Sequence, residues 1–322
     1  METLFVARDA ILKQRENTLA ISCDGKVKSL PIETIRHLVL LGETRLNSRL
    51  LTLCGKYGVR LSVFDYHGYF KGCFEPIDRN PAGAVKLSQA RLLLNDKRRL
   101  TVAREVVRGA AHNIIANLRY YRYRGTESLT PIIDKMLRLM DKIGKADSNP
   151  TLMGIEGNLH EWYYSGWKHI HPSLDFTPRV RRPPNNPINC LLSFLNQLTY
   201  SVVRHEASKT HLEETFSVLH SPGQGRASLS LDLAEPFKPV LVDMLIFRMA
   251  RRGTLADNWF DTKDGVCLLT ETGRRHVAEQ FSLRLEEQLK ERSYREWIYR
   301  EALAFEREVL EVAEYESFKR QP

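Results

Sequence analysis

The sequence predicts an α+β protein in which a small N-terminal β-sheet domain precedes a larger, mainly α-helical domain. Its first 75 residues hold short, strand-length runs of apolar and β-branched residues. A stretch with two prolines and several turn residues follows at 76–83. Beyond it, apolar residues recur at the spacing of amphipathic helices. The predicted organisation is therefore a β domain over 1–75, a linker over 76–83 and a helical domain over 84–322.

The N-terminal elements are predicted to be short strands and one helix. The strand-length runs are, in chain order, TLFVAR, AILKQR, NTLAISC, KVKSLP, IRHLVLLG, VRLSVFD and YFKGCFEP. The pair Asp24-Gly25 between two of these runs favours a two-residue hairpin. The most apolar of the runs predicts a buried strand that ends at Gly42. Asn47 predicts the N-cap of a short helix, SRLLTLCGKYG.

The C-terminal elements are predicted to be helices. The helical runs are, in chain order, VKLSQARLLLNDKRRLTVAREVVRGAAHNIIANLRYYRYRG, SLTPIIDKMLRLMDKIG, TLMGIEGNLHEWYYSGW, INCLLSFLNQLTYSVVRHEA and LDLAEPFKPVLVDMLIFRMA. The basic, proline-rich loop over 179–187 interrupts them. The last run starts at Ser228 or Ser230, and Pro236 must lie in its first turn or kink it. An Asp-Gly pair at 264–265 predicts a small hairpin, which two charged helices follow.

Composition limits the possible partners and compartment. The chain carries 48 Lys and Arg against 39 Asp and Glu, a formal net charge of +9, which favours a polyanionic partner such as nucleic acid. Its five cysteines are widely spaced without a CxxC pair, which indicates reduced thiols in a cytoplasmic protein rather than a zinc ribbon. No signal peptide is expected, because charges lie inside the N-terminal apolar run, and no membrane span is expected, because no apolar run is long enough.

The stretch FSVLHSPGQGRASLSLDLAEPFKP places one histidine and two acids around a tight turn. Asp232 and Glu235 are three residues apart, so they share a helix face. Carboxylates beside apolar residues need compensation from a metal, a cation or backbone amides. A structural alternative is that both acids cap the helix and pair with Arg226 or Lys238, with the lone histidine in a structural role.

A third acid, Glu156, lies between Gly154 and Gly157 in an amphipathic run, on a face shared with apolar residues. Two glycines destabilise a helix, so their presence suggests that another backbone or a bulky ligand approaches closely. His160, four residues on, could bind a metal together with Glu156. The structural alternative is a buried ion pair between Glu156 and Arg204.

Together, Glu156, His220 and Glu235 offer two carboxylates and one imidazole, a donor set that suits Mg²⁺ or Mn²⁺. An ion of this kind with open coordination positions activates a hydroxyl and stabilises charge on a phosphodiester. The basic chain makes such a polyanionic substrate plausible. His220 could instead act as an acid or base rather than as a ligand.

Five segments, in the same order, resemble the metal-dependent integrase and endonuclease of CRISPR spacer acquisition. The segments are VFDYHGYFKGCF, GIEGNLHEWYY, RRPPNNPINCLLSF, HSPGQGRASLSLDLAEPFKP and FDTKDGVCLLTETGRR. The resemblance covers essentially the whole chain. It implies a cytoplasmic enzyme that binds Mg²⁺ or Mn²⁺, cuts DNA and inserts new spacers into a CRISPR array by transesterification, with the protospacer 3′-OH as nucleophile.

The resemblance also implies roles for individual residues and partners. Glu156, His220 and Glu235 match the family's metal ligands, and Asp232 matches a nearby acid that supports the site, so all four are expected to be catalytic. Double-stranded DNA, as protospacer and repeat, is the implied substrate. A homodimer formed through the β domain and a small companion protein of the adaptation module are the implied protein partners.

Several basic residues are candidates for binding the DNA backbone, namely Arg179, Arg181, Arg182, Arg226 and Lys238. Further basic clusters are Lys97-Arg98-Arg99, Arg119 with Arg122 and Arg124, and Arg251-Arg252. For each cluster, a solvated helix face is the alternative. The aromatic side chains of Tyr163, Tyr164 and Trp167 are expected to pack in the core rather than stack on a base.

Two other functions remain open at this point. The first is a non-catalytic helical DNA-binding protein, such as a regulator, in which the acids are structural. The second is a metal-dependent RNase or phosphodiesterase that acts on another polyanion.

Overall fold

The computed structural model describes residues 3–77, 82–176, 178–221 and 227–320. It confirms the predicted α+β class, with an N-terminal β-sheet region followed by a mainly helical region. No helix in these ranges combines the length and apolarity needed to cross a bilayer.

The chain packs as two compact units that are not continuous in sequence. The first contains the described parts of 1–81 together with 183–201 and 256–283, and the second contains 82–182, 202–255 and the described part of 284–322. The domain boundaries at 75 and 84 stay a prediction. The first unit also contains two segments from later in the chain, which were not part of the predicted β domain. One link within that unit is the Cys267 amide, which donates to the Pro184 carbonyl at 2.8 Å.

The strands fall in the first unit, apart from a short pair near the end of the chain. In chain order they are β1 (Thr3–Val6), β2 (Ala10–Arg15), β3 (Thr18–Cys23), β4 (Lys26–Pro31), β5 (His37–Leu40), β6 (Thr44–Arg45), β7 (Arg60–Phe64), β8 (Phe70–Phe74), β9 (Phe260–Lys263), β10 (Val266–Leu269), β11 (Gln288–Leu289) and β12 (Arg292–Ser293). Within the described residues, two four-stranded sheets have the orders β1-β5-β7-β8 and β4-β3-β2-β6. Each mixes parallel and antiparallel pairs.

Local turn chemistry explains the hairpins. Asp24 and Gly25 both have positive φ, 51° and 75°, and join β3 to β4 as predicted. The pair at 264–265 joins β9 to β10 in the same way, with φ of 50° and 74°. The predicted buried strand is β5, which has no exposed residue. These hairpins and the buried strand were predictable because each depends on residues adjacent in sequence.

Most of the helices lie after residue 82. In chain order they are α1 (Ser48–Tyr57), α2 (Gly83–Leu94), α3 (Asp96–Tyr123), α4 (Thr130–Met140), α5 (Asn149–Ser165), α6 (Trp167–Ile170), α7 (Pro187–Ala207), α8 (Leu229–Ala234), α9 (Met244–Arg251), α10 (Glu271–Glu286) and α11 (Tyr294–Val309). Asn47 caps α1 as predicted, because its side chain accepts a hydrogen bond from the Leu50 amide.

The helical run after residue 228 is interrupted rather than continuous. It begins after Ser228, one of the two predicted starts, as α8, and α8 ends at Ala234, two residues before Pro236. A π-helical turn over Pro239–Asp243 then leads into α9. A proline removes a backbone donor and clashes with the preceding turn, so the two prolines in this stretch account for the interruption. The residues between α8 and α9 therefore depend on side chains for part of their hydrogen bonding.

Candidate metal centre

Helix α5 presents Glu156 and His160 on one face, one turn apart. The His160 Nδ1 atom lies 2.8 Å from Glu156 Oε1. Burial alone would raise the pKa of Glu156, but the His160 imidazole, with Lys238 and His220 nearby, lowers it to about 2. Burial alone would lower the pKa of His160, but the Glu156 carboxylate raises it overall. The ion-pair partner of the Glu156 carboxylate is therefore His160. Arg204, the partner considered from the sequence, pairs with Glu214.

Glu235 lies just past the end of α8 and is buried. The Nζ atom of Lys238, three residues on, lies 2.7 Å from Glu235 Oε1 and 2.6 Å from Oε2. This ion pair is one of the structural contacts that the sequence allows for Glu235. It supplies the cation that a buried carboxylate needs.

Asp232 is fully buried and organises the turn that carries His220. Its Oδ2 accepts from the Val218 and Leu219 amides at 2.7 and 3.0 Å, and its Oδ1 accepts from the His220 amide at 3.1 Å. The same Oδ1 lies 2.7 Å from His220 Nδ1. A carboxylate so placed fixes the orientation of the ring and leaves Nε2 as the atom available to other groups.

The environment of His220 favours its charged form. Burial alone would lower the pKa of the His220 imidazole, but the carboxylates of Asp232 and Glu235 raise it overall. Its Nε2 atom lies 4.0 Å from Glu235 Oε1. The ring is therefore aimed at the same carboxylate that Lys238 holds.

The two predicted glutamates converge, together with an imidazole of α5. One ligand atom each from Glu156, His160 and Glu235 lie within 4.8 Å of one another. Carboxylate oxygens and an imidazole nitrogen at this spacing fit a divalent cation of the Mg²⁺ or Mn²⁺ type. His220 lies beside this group, next to Glu235, so two imidazoles are close to the two glutamates. The ligand set Glu156, His220 and Glu235 stays a prediction.

A buried polar network that the sequence analysis missed lies behind the centre. The Tyr163 hydroxyl accepts a hydrogen bond from Asn117 Nδ2 at 2.9 Å and is hydrogen-bonded to the buried carboxyl of Asp243. Burial raises the pKa of Asp243 to about 7, although the bond with Tyr163 opposes that rise. Asn117 also donates to the Pro239 carbonyl at 2.9 Å. The network ties α3 and α5 to the π-helical turn, and an acid within the apolar run VLVDMLIF was the signal for it.

The two glycines beside Glu156 face open space. No described atom lies within 4 Å of a Cβ placed on Gly154 or Gly157, and both residues are exposed. Among the described residues, no other segment of backbone packs against these two glycines. Approach of a bulky ligand to this face stays a prediction.

The predicted phosphate-binding residues have different surroundings. Arg181 and Arg182 are exposed, while Arg179 is half-buried and donates to the Val180 carbonyl at 2.5 Å. The charges of Arg179 and Arg181 are close enough to oppose the rise that burial causes in the pKa of Tyr164. This part of the basic loop therefore lies near Tyr164 of α5. Of the other two candidates, Lys238 is engaged with Glu235, and Arg226 lies outside the described residues.

The aromatic residues of α5 and α6 pack together as expected. Tyr163 and Trp167 are fully buried, with ring centroids 5.6 Å apart. Tyr164 contacts both Trp167 and Phe176. These rings form one aromatic cluster.

Comparison with known proteins gives the chain's relatives. The family model of CRISPR associated protein Cas1 matches residues 4–282. A protein named CRISPR-associated endonuclease Cas1 from Clostridium perfringens is 33% identical over 326 residues, which cover 98% of both chains. The solved structure of a CAS1 protein from Thermotoga maritima superposes with a TM-score of 0.89 at 28% identity and covers 98% of this chain and 100% of that one.

Two more distant structures share the fold. A casposase bound to integration product has a TM-score of 0.86 at 18% identity and covers 99% of this chain and 94% of that one. A Cas6-RT-Cas1–Cas2 complex has a TM-score of 0.85 at 17% identity and covers 100% of this chain and 36% of that one. At these identities the likeness shows the fold alone.

Proposed function

The chain belongs to the Cas1 family of CRISPR-associated proteins, and on that premise we propose that it is a divalent-metal-dependent DNA endonuclease and integrase. It inserts new spacers into a CRISPR array, with a protospacer 3′-OH as the nucleophile that attacks a repeat phosphodiester. The observation that carries this proposal is the convergence of Glu156 and Glu235 with the imidazoles of two histidines.

The donor set supports Mg²⁺ or Mn²⁺ as the cofactor. Glu156 and Glu235 would supply carboxylate oxygens, and His220 Nε2 would supply the imidazole nitrogen. The bound ion would lower the pKa of a hydroxyl and screen the negative charge of the phosphodiester. One imidazole among oxygen ligands makes Mn²⁺ the better match of the two.

The protein's own side chains then have separate roles. Asp232 orients the His220 ring through Nδ1, and this leaves Nε2 to act as a ligand or as an acid or base. Lys238 pairs with the buried Glu235 carboxylate. Arg179 and Arg181 supply positive charge near Tyr164 of α5, and together with Arg182 they would bind DNA phosphates.

The proposed partners follow from the family. Double-stranded DNA is the proposed substrate, and the net charge of +9 supports it. A small companion protein is proposed as well, since a relative of the same fold is solved in a Cas1–Cas2 complex. A homodimer formed through the N-terminal sheets completes the proposal.

The test compares Glu156→Ala with Glu161→Ala, a substitution of an exposed acid on the same helix. Cleavage and strand transfer are measured on labelled DNA with Mn²⁺ or Mg²⁺, with and without the companion protein. Loss of a metal ligand should lower both activities by at least ~100-fold, while Glu161→Ala stays near wild type. Undiminished strand transfer by folded Glu156→Ala would refute Glu156 as a metal ligand of the reaction. DNA binding by the wild-type protein without cleavage or strand transfer would favour a non-catalytic DNA-binding protein instead.

RNA of matched sequence distinguishes the remaining alternative. If Mn²⁺-dependent cleavage by the wild-type protein is faster on RNA than on DNA and no strand transfer occurs, the protein is an RNase rather than an integrase. The same Glu156→Ala variant then shows whether the same centre is responsible.

A further inference from the structure

The segment after α11, residues 313–320, has no regular secondary structure and belongs to the second unit. Tyr315, Ser317 and Phe318 are buried, whereas Glu314, between α11 and these residues, is exposed. Loops usually run over the protein surface, so the burial of three side chains in this segment is unusual. The segment is therefore held in place by specific contacts.

Glu301 of α11 anchors one side of this segment. Its Oε1 accepts from the Tyr315 hydroxyl at 2.5 Å and from the Ser317 hydroxyl at 2.9 Å, and its Oε2 accepts from the Phe318 amide at 2.9 Å. A buried carboxyl with three donors is well satisfied. All three donors come from 315–318, so the carboxyl is used to bind this segment.

Gly109 of α3 makes room for the same segment. A Cβ at this position would lie 2.2 Å from Ser317 Oγ and 2.7 Å from Ser317 Cβ. Glycine in the middle of a helix costs about 1 kcal/mol relative to alanine. The close approach of Ser317 explains why glycine stands there.

The far side of the segment contacts the backbone that carries the metal-binding glutamate. The Phe318 ring stacks on the Phe237 ring, with centroids 4.6 Å apart and planes 14° apart. Asn113 Nδ2 donates both to the Pro236 carbonyl at 2.7 Å and to the Phe318 carbonyl at 3.2 Å. The Arg320 amide donates to Asn113 Oδ1 at 2.8 Å. One asparagine thus joins 318–320 to the residue that follows Glu235.

We propose that segment 313–320 is a positioning element of the metal centre, which fixes the backbone between α8 and α9 and so the placement of Glu235 and Lys238. The two prolines in that backbone interrupt its helical hydrogen bonds, so its conformation depends on contacts from outside. Phe318 and Asn113 supply those contacts next to Glu235. The inference rests on the proposed function for the role of the metal, but the positioning itself does not need a metal.

The test uses Phe318→Leu, which removes the stacked ring and keeps an apolar side chain. Tyr315→Phe is the matched control, because it removes one hydrogen bond to Glu301, leaves the bonds of Ser317 and Phe318 to Glu301 in place and does not touch 236–237. Two quantities are measured on the full chain: Mn²⁺ binding, from the electron paramagnetic resonance signal of free Mn²⁺, and amide hydrogen exchange over 229–244 without metal.

Phe318→Leu should weaken Mn²⁺ binding by ~10-fold, the lower end of what loss of a supporting residue costs, and should speed exchange over 229–244. Tyr315→Phe should change Mn²⁺ binding by less than about twofold. Gly109→Ala, which displaces Ser317, gives a second route to the same effect and should behave like Phe318→Leu.

Unchanged exchange over 229–244 in both Phe318→Leu and Gly109→Ala would overturn the inference, whatever the metal data show. An equal loss of Mn²⁺ binding in Tyr315→Phe would overturn it too, since the effect would then be one of general stability. If the wild-type protein binds no Mn²⁺, the proposed function fails, and the exchange data alone decide whether the segment positions this backbone.

Discussion

Asp232→Asn tests the interpretation that this buried acid builds the His220 turn. The substitution keeps the shape of the side chain and replaces one carboxylate oxygen with an NH₂ donor. The carboxylate accepts four hydrogen bonds, two at each oxygen, from Val218, Leu219 and twice from His220. An asparagine can accept only two of them, and its NH₂ group then faces the other two donors.

The expected loss follows from that count. Hydrogen bonds to a charged group contribute about 1.5–3 kcal/mol each, so losing two lowers the free energy of unfolding by at least about 3 kcal/mol. The His220 ring also loses its orienting partner, and this should weaken Mn²⁺ binding by ~10–100-fold. Urea denaturation and Mn²⁺ titration measure the two effects separately.

Ser230→Ala is a suitable control, because the Ser230 hydroxyl donates to the Ala227 carbonyl and, among the described residues, does not bond to the His220 turn. A folded Asp232→Asn protein with wild-type stability and wild-type Mn²⁺ affinity would refute the reasoning. Wild-type affinity together with lower stability would leave Asp232 a purely structural role.

Three further outcomes are expected. Gly157→Ala should raise the free energy of unfolding by about 0.5–1 kcal/mol, since no described atom outside the helix's own backbone would contact the new methyl group. The same substitution should weaken DNA binding in a filter assay if DNA approaches this face. A lower free energy of unfolding would contradict the stability prediction. The pKa of Glu156 in the folded protein, about 2, lies below its ordinary value of 4.5, so the stability that its carboxylate contributes is present above pH 4.5 and is lost as the pH falls towards 2. In EDTA, the difference in Tm between wild type and Glu156→Gln should therefore be larger at pH 5.5 than at pH 2.5. An equal difference at both pH values would count against the ion pair with His160. Arg181→Ala should reduce the salt dependence of DNA binding by about one counterion, and an unchanged slope would remove Arg181 from the interface.

The sequence predicted those parts of the fold that depend on neighbouring residues. The Asp24-Gly25 and 264–265 pairs define hairpins by themselves, and Asn47 caps its helix through a residue three positions on. The discontinuous packing of 183–201 and 256–283 with the N-terminal residues was not visible, because it depends on long-range contacts.

Prediction of the candidate centre divides in the same way. The spacing of Asp232 and Glu235 placed them on one helix face. Donor chemistry and the family resemblance, rather than spacing, linked Glu235 to Glu156. Asn113 and Asn117 were not identified, because their role is to bond carbonyls at two prolines that are distant in sequence. Two asparagines one turn apart on the buried face of a long helix were the available signal.

Anomalous diffraction from crystals soaked in Mn²⁺ would locate the ion and its ligands. We expect a manganese peak bonded to carboxylate oxygens of Glu156 and Glu235 and to Nε2 of His220, with Lys238 moved off the Glu235 carboxylate. A peak bonded to His160 in place of His220 would correct the ligand set. Saturating Mn²⁺ with no peak at these glutamates would contradict a metal-dependent centre at this site.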